Sequence, residues 1–213
     1  MNGSRAAPER DSKSPYPTSE KENVVPKGGF NHIGLATRDM DATKSFYEDV
    51  LGFTTVRYDR FDISEGGYLR HIFMDTGNGE LISFLEPNEV AGIPSFDPGI
   101  NEGLGVPNAF YHIAFEAGSV EELDRIREHL DASGVKVSPV FDHDWAKSIY
   151  FFDPVNKLSL EYCVLAREFT EDDRTYQYRF TGPAALLQVD IDAQIAVEES
   201  RWDTIGRVSE RGR

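Results

Sequence analysis

Two histidines stand at matched places in this chain, and an acidic residue follows the second. Asn31-His32-Ile33 and Tyr111-His112-Ile113 lie 80 residues apart, and Glu161 comes late in the stretch that the second histidine opens. Imidazole and carboxylate are the side chains that ligate divalent cations and carry protons near neutral pH. One histidine in a strand is more often structural than chemical. Two at equivalent positions, with a carboxylate in the same segment, point to shared work. His143, in the string FDHDW, has the residue type of a general acid or base. Tyr150 follows it, and its ordinary reading is a packed aromatic. His71 lies in a strand after Arg70, with a pocket role as the lesser reading. His129 falls among Arg125, Arg127 and Glu128 on a charged helix face and reads as solvated. Cys163, two residues past Glu161, shares its strand face; nothing nearby suggests a base that would make it a nucleophile.

The elements that must position these residues occur twice. In residues 29–88 a strand over 30–36 precedes a helix over 40–51, capped by Asp39 and closed by Gly52. Strands follow at 54–59, 69–75 and 80–86, the last two joined by the Asn-Gly turn TGNG. Residues 109–165 repeat the order. AFYHIAFEA is a strand, and Ser119 with Glu122 forms a capping box. Val120, Leu123, Ile126 and Leu130 keep helical spacing, and Gly134 ends the helix. VKVSPV, KSIYFFD and LSLEYCVL supply three strands. The fold class is α+β: two βαβββ modules forming a curved, cup-shaped mixed sheet.

Strand alternation sorts the candidates by face. Ile33 and Leu35 oppose His32 and Gly34, as Ile113 and Phe115 oppose His112 and Ala114. The aliphatic face packs on the helix, so the histidine face looks toward the concave side. Setting Asp75 on Asp153 puts Ser83 opposite Glu161. Glu86 lies three residues beyond Ser83, so it points to the other face; a strand slip or bulge would bring it back as a fourth member of the set and its second carboxylate. The repeat therefore predicts two equivalent histidines and one carboxylate.

Composition narrows the function classes. Lys and Arg total 22 against 37 Asp and Glu, a net charge of −15, which repels phosphate backbones and argues against nucleic acid. No apolar run approaches the roughly 18–20 residues that span a bilayer. The polar N-terminus lacks an apolar signal core, which gives a cytoplasmic expectation. One cysteine excludes a disulfide framework and a Cys-rich zinc site. Residues 1–28, rich in Pro, Ser and charge, read as a disordered arm. Residues 89–108, Gly- and Pro-rich, read as a linker or lid. Residues 166–213 form a C-terminal extension whose alternation over 189–197 suits a strand, though its composition also permits a helix.

The strings HIGLATRDMDATKSFYEDVLGF at 32–53 and SIYFFDPVNKLSLEYC at 148–163 resemble the vicinal oxygen chelate superfamily, which includes glyoxalase I, bleomycin- and fosfomycin-resistance proteins and type I extradiol dioxygenases. The resemblance covers about residues 29–165. It implies a divalent metal held by His32, His112 and Glu161. Glyoxalase I-like members carry an acidic ligand in each module. Ser83 stands in that place in the first module, so the set looks like the two-His-one-carboxylate triad of the dioxygenases. Two neutral imidazoles and one carboxylate leave a divalent ion with one net positive charge and open positions for two adjacent substrate oxygens. Fe(II) is the first expectation and Mn(II) fits the same donors; a glyoxalase-like member would use Zn(II) or Ni(II). The resemblance also places Tyr150 on a substrate oxygen and His143 as acid or base. The implied activity is that of an extradiol-dioxygenase-like enzyme on a small aromatic diol. The alternatives are a glyoxalase I-like lyase or isomerase and a bleomycin-resistance-type binding protein. Many relatives are homodimers, which sets the expectation for assembly.

Overall fold

The computed structural model describes residues 29–175. The first sheet is built from β1 (His32–Ala36), β2 (Thr54–Asp62), β3 (Tyr68–Asp75) and β4 (Leu81–Asn88), in the order β1-β4-β3-β2. The second is built from β5 (His112–Glu116), β6 (Phe141–Asp142), β7 (Ala146–Phe152) and β8 (Ser159–Leu165), in the order β5-β8-β7-β6. In each sheet the first strand runs parallel to the last, and the other pairs are antiparallel. Helix α1 (Met40–Ser45) follows β1, α2 (Ile100–Leu104) lies between the sheets in sequence, and α3 (Val120–Ala132) follows β5. This is the α+β arrangement of two βαβββ units. No helix among the described residues is long and apolar enough to cross a membrane.

The capping residues act as their types dictate. Asp39 Oδ1 accepts from Ala42 N at 2.9 Å, and Ser119 Oγ accepts from Glu122 N at 3.1 Å. Gly52 adopts a φ of 74°, the left-handed conformation that suits a chain leaving a helix.

Two elements differ from expectation. The helix over 40–51 is α-helical only to Ser45; Phe46–Val50 form a wider π-type turn. That turn sets the adjacent Phe46 and Tyr47 both into the core, which regular helical spacing does not favour. VKVSPV is not a strand. It makes a single bridge, Val137 to Phe151, and the paired segment comes later at Phe141–Asp142. Pro139 has no N–H to continue a ladder, and Ser138 supplies its hydroxyl instead, accepting from Tyr150 N at 2.9 Å.

The two units share one core. Met40, Tyr47, Phe53, Ile72, Met74, Ile82 and Phe84 of the first unit join Leu123, Ile149, Phe151, Leu160 and Tyr162 of the second in one cluster. Phe53 meets Phe115 edge-on with ring centroids 5.1 Å apart. A polar lock crosses the junction. Buried Asp153 accepts from Tyr47 Oη at 3.1 Å, Val155 N at 2.7 Å, Asn156 N at 3.0 Å and Asn156 Nδ2 at 2.8 Å. Asn156 Nδ2 also reaches Thr43 Oγ1 at 3.1 Å. His129 Nε2 donates to Val50 O at 2.9 Å, so this histidine ties α3 to the first unit rather than standing free in solvent.

The connecting segment is pinned at both ends. Arg38 binds Ser95 Oγ and donates to Phe96 O at 3.0 Å. Lys157 pairs with Asp97 and Glu102, each at 2.8 Å. Asn101, only 2% exposed, donates to Tyr111 O at 2.7 Å and accepts from Tyr111 N at 3.1 Å. Beyond β8, Arg167 bridges Asp144 at 3.1 Å and Asp173 at 2.8 Å, and Phe169 packs on Trp145. The expected arm over 1–28 and the alternating stretch 189–197 lie outside the described residues.

The lock makes a stability prediction. Asp153→Ala strands one phenol, two backbone donors and an amide without their acceptor, and should cost about 3 kcal/mol or more. Tyr47→Phe removes only one hydroxyl and should cost about 1 kcal/mol. Urea unfolding of both variants measures the two losses; equal losses would contradict the assignment of Asp153 as the hub.

Candidate metal and substrate site

Burial decides which strand faces are open. In β1 and β5 the alternating residues Ile33, Leu35, Ile113 and Phe115 are partly buried, while His32, Gly34, His112 and Ala114 are exposed. Register then lines up the rows. In the second sheet Ala114 pairs with Glu161 and Glu161 with Tyr150, and in the next row Ser148 pairs with Cys163 and Phe141. In the first sheet Gly34 pairs with Ser83 and Ser83 with Phe73, and His71 pairs with Leu85 and Asp59. The repeat is thus exact in register: Ser83 takes the place of Glu161, Phe73 that of Tyr150, and His71 that of Ser148.

His112 and Glu161 come together. His112 Nε2 lies 3.2 Å from Glu161 Oε2, and the carboxylate is 6% exposed. The other imidazole nitrogen, Nδ1, donates to Ala109 O at 3.1 Å. A carbonyl oxygen only accepts, so Nδ1 carries a proton and Nε2 is the nitrogen offered to a ligand. His32 is built the same way. Its Nδ1 donates to Asn31 Oδ1 at 2.8 Å, and its ring meets the Phe73 ring edge-on at 5.5 Å.

His32 does not join the other two. Among the described residues no three His, Cys, Asp or Glu side chains gather as a cation-binding group. The shared core explains this. Each sheet turns its helix side inward, so the two histidine faces both look outward. Strands β1 and β5 are the free edges of their sheets. A cleft of about 710 Å³ separates them, lined by Ile33, Leu81, Ile113, Phe115 and Tyr162, with His112 at its margin.

The remaining candidates sort cleanly. His143 Nε2 lies 2.9 Å from Tyr150 Oη, and both rings border the Glu161 row. Glu86 points to the helix side as parity requires. It is 3% exposed, accepts from Met40 N at 3.0 Å and pairs with Arg70, so it is spent on structure. His71 stacks on Phe73 with ring centroids 4.2 Å apart. Sequence reasoning passed over Ser148, whose buried hydroxyl faces this same row; its place two residues before Tyr150 was the available signal.

Electrostatics follow from these contacts. The hydrogen bond to Glu161 raises the His112 pKa, against burial, with help from Ala109 O. Burial pushes the Glu161 carboxyl up, but His112, Ser148 and His143 together outweigh it and hold it below its ordinary value. Burial and the Glu161 charge raise the Tyr150 phenol, which stays protonated at neutral pH. The Cys163 thiol is raised by burial, which disfavours a nucleophilic thiolate.

The chain thus presents an imidazole–carboxylate pair on the open face of a doubled βαβββ frame. The model of the Glyoxalase/Bleomycin resistance protein/Dioxygenase superfamily matches residues 29–162, and the chain belongs to that superfamily. Its members are mostly enzymes acting on small molecules. A curated relative, "Glyoxylase I 4" of Arabidopsis thaliana, is 28% identical over 127 residues, which is 54% of this chain; the match spans 64% of that relative's length. Among solved structures, a glyoxylase/bleomycin resistance protein/dioxygenase domain from Frankia sp. EAN1pec has a TM-score of 0.49 at 20% identity, covering 66% of this chain and 99% of that one. A fosfomycin resistance protein from Listeria monocytogenes has a TM-score of 0.47 at 22% identity, covering 70% and 100%.

The pair sets a pH dependence for the metal-free protein. Protonated His112 stabilises the fold below the ordinary imidazole value of 6.5, and this contribution fades as pH rises through the raised folded value. Ionised Glu161 contributes above the ordinary 4.5 and fades as pH falls through the lowered folded value. The melting-temperature gap between wild type and His112→Gln should therefore be widest between pH 4.5 and 6.5 and narrow on the alkaline side. A gap independent of pH would show that the two groups do not pair in solution.

Proposed function

We propose that the protein is a divalent-metal enzyme acting on a small substrate that presents two adjacent oxygens. His112 and Glu161 of one copy hold the ion together with His32 of a second copy in a homodimer. The observation that carries this reading is the 3.2 Å approach of His112 Nε2 to Glu161 Oε2, with Nδ1 already committed to Ala109 O. The donor set fits: an imidazole nitrogen and a carboxylate oxygen converge, and neither needs another protein partner. His32, with its own Nδ1 committed to Asn31, offers the matching nitrogen on a face that its own chain leaves open.

A bound divalent ion would supply Lewis acidity, lowering the pKa of a chelated hydroxyl. The chain's own residues do the rest. Tyr150, kept protonated by burial, donates a hydrogen bond to a substrate oxygen. His143, at 2.9 Å from the phenol, relays the proton to and from it. Phe73 and His71, beside His32, form an aromatic wall for the body of the substrate.

Three protein donors, with Ser83 where a fourth would stand, favour the extradiol-dioxygenase-like reaction on a small aromatic diol, with Fe(II) or Mn(II). The curated glyoxalase I-like relative favours a second reading, a lyase or isomerase using Zn(II) or Ni(II). Oxygen uptake with a catechol panel after Fe(II) loading supports the first. Turnover without oxygen consumption supports the second.

The shared centre has a sharper test. His32→Ala and His112→Ala should each lose bound metal. Mixed dimers of the two variants should regain one intact site, because the intact His32 of one copy meets the intact His112 and Glu161 of the other. Elemental analysis of dimers purified with two different tags reads this directly. Mixed dimers as empty as either parent would refute a centre shared between copies.

A further inference from the structure

Ser148 sits on β7 in the row beside Tyr150 and Glu161, on the same open face, and it is 0% exposed. Its Oγ has no hydrogen-bond partner. Most buried hydroxyls in folded proteins find a partner, and one that does not is a net cost to the fold. The groups around it are Cys163 in its own row and Glu161 and Tyr150 in the adjacent one, and the hydroxyl bears on the electrostatics of all three. In this state the Glu161 carboxylate leans toward His112.

The repeat offers an internal control. In the first sheet the place of Glu161 belongs to Ser83, and the place of Ser148 belongs to His71, which stacks on Phe73. The small hydroxyl therefore occurs in the half that carries the carboxylate, and a large ring fills its place in the half that does not. Packing alone does not call for a hydroxyl there, since Ala would fit without stranding a polar atom.

We infer that Ser148 is a positioning residue for Glu161: its buried hydroxyl is held in reserve for the carboxylate. When Glu161 turns from His112 toward a divalent cation, the Ser148 O–H donates to the carboxylate oxygen and fixes its orientation. This rests on the metal role proposed above for Glu161. A hydroxyl that orients a ligating carboxylate contributes through the geometry of the ligand rather than by touching the ion, and losing such a partner weakens binding by about 10-fold or more.

The experiment pairs two measurements on the full-length protein. Mn(II) binding is followed by titration calorimetry, and thermal unfolding is followed without metal, for wild type, Ser148→Ala and Ser148→Cys. Ala is smaller than Ser and Cys larger, and Cys supplies only a weak donor, so a loss common to both separates hydrogen bonding from packing. Both variants should bind Mn(II) about 10-fold or more weakly, while Ser148→Ala melts at or above the wild-type temperature because an unpartnered hydroxyl has gone. Wild-type affinity in both variants, with wild type itself binding, would overturn the inference and leave the metal centre standing. A clear loss of metal-free stability in Ser148→Ala would also overturn it, by showing that the hydroxyl already has a partner. No Mn(II), Fe(II) or Zn(II) binding by wild type would overturn the metal reading and this inference with it.

Discussion

Side chains alternate along a strand, so the face of each residue is fixed once the burial of its neighbours is fixed. That constraint governs this molecule. Ile72, Met74, Ile82 and Phe84 in one sheet, and Ile149, Phe151 and Leu160 in the other, are drawn into a single core. Every residue of opposite parity is thereby turned outward, His32 and His112 included. At about 25 cal/mol per Å² of buried apolar surface, no single polar contact on the open face competes with the burial behind it. The candidate site is built from residues the core leaves over.

The shared core has a second consequence. By packing helix side to helix side, the two units turn both histidine faces outward, and among the described residues no three candidate donors gather. Such an arrangement divides labour between the faces. The second sheet carries Glu161 and Tyr150, with His143 beside the phenol; the first carries His32 beside Phe73 and His71. The symmetry of the backbone is intact, since Gly34–Ser83–Phe73 and Ala114–Glu161–Tyr150 occupy the same rows. Only the side chains have diverged.

Much of this was legible from residue order. Asp39 and Ser119 announce their helices because short side-chain oxygens satisfy orphan amides. Gly52 closes the first helix because it tolerates a positive φ. Counting parity from Ser83 was enough to send Glu86 to the helix side, where Arg70 waits. Other features were hidden for physical reasons. VKVSPV has strand composition, but one proline removes the donor a ladder needs. The π-type turn carries Tyr47, whose hydroxyl meets Asp153, a partner 106 positions away in sequence. His129 looked solvated because its acceptor, Val50 O, belongs to the other unit.

The separation of His32 from His112 and Glu161 was beyond sequence for a deeper reason. Local pattern fixes which face of a strand is open, but not which other open face it meets. That choice lies in how two units dock, and docking is decided by the shape of the helix-side surfaces. Phe53 against Phe115 and Tyr47 against Asp153 are contacts of this kind, each between residues whose own strand or turn gives no hint of the other. They commit the inner surfaces to each other within one chain. The outer faces are left out of that core. In the centre proposed above, a donor set split across those faces ties chemistry to assembly: whatever brings two copies together also decides whether the third donor is present.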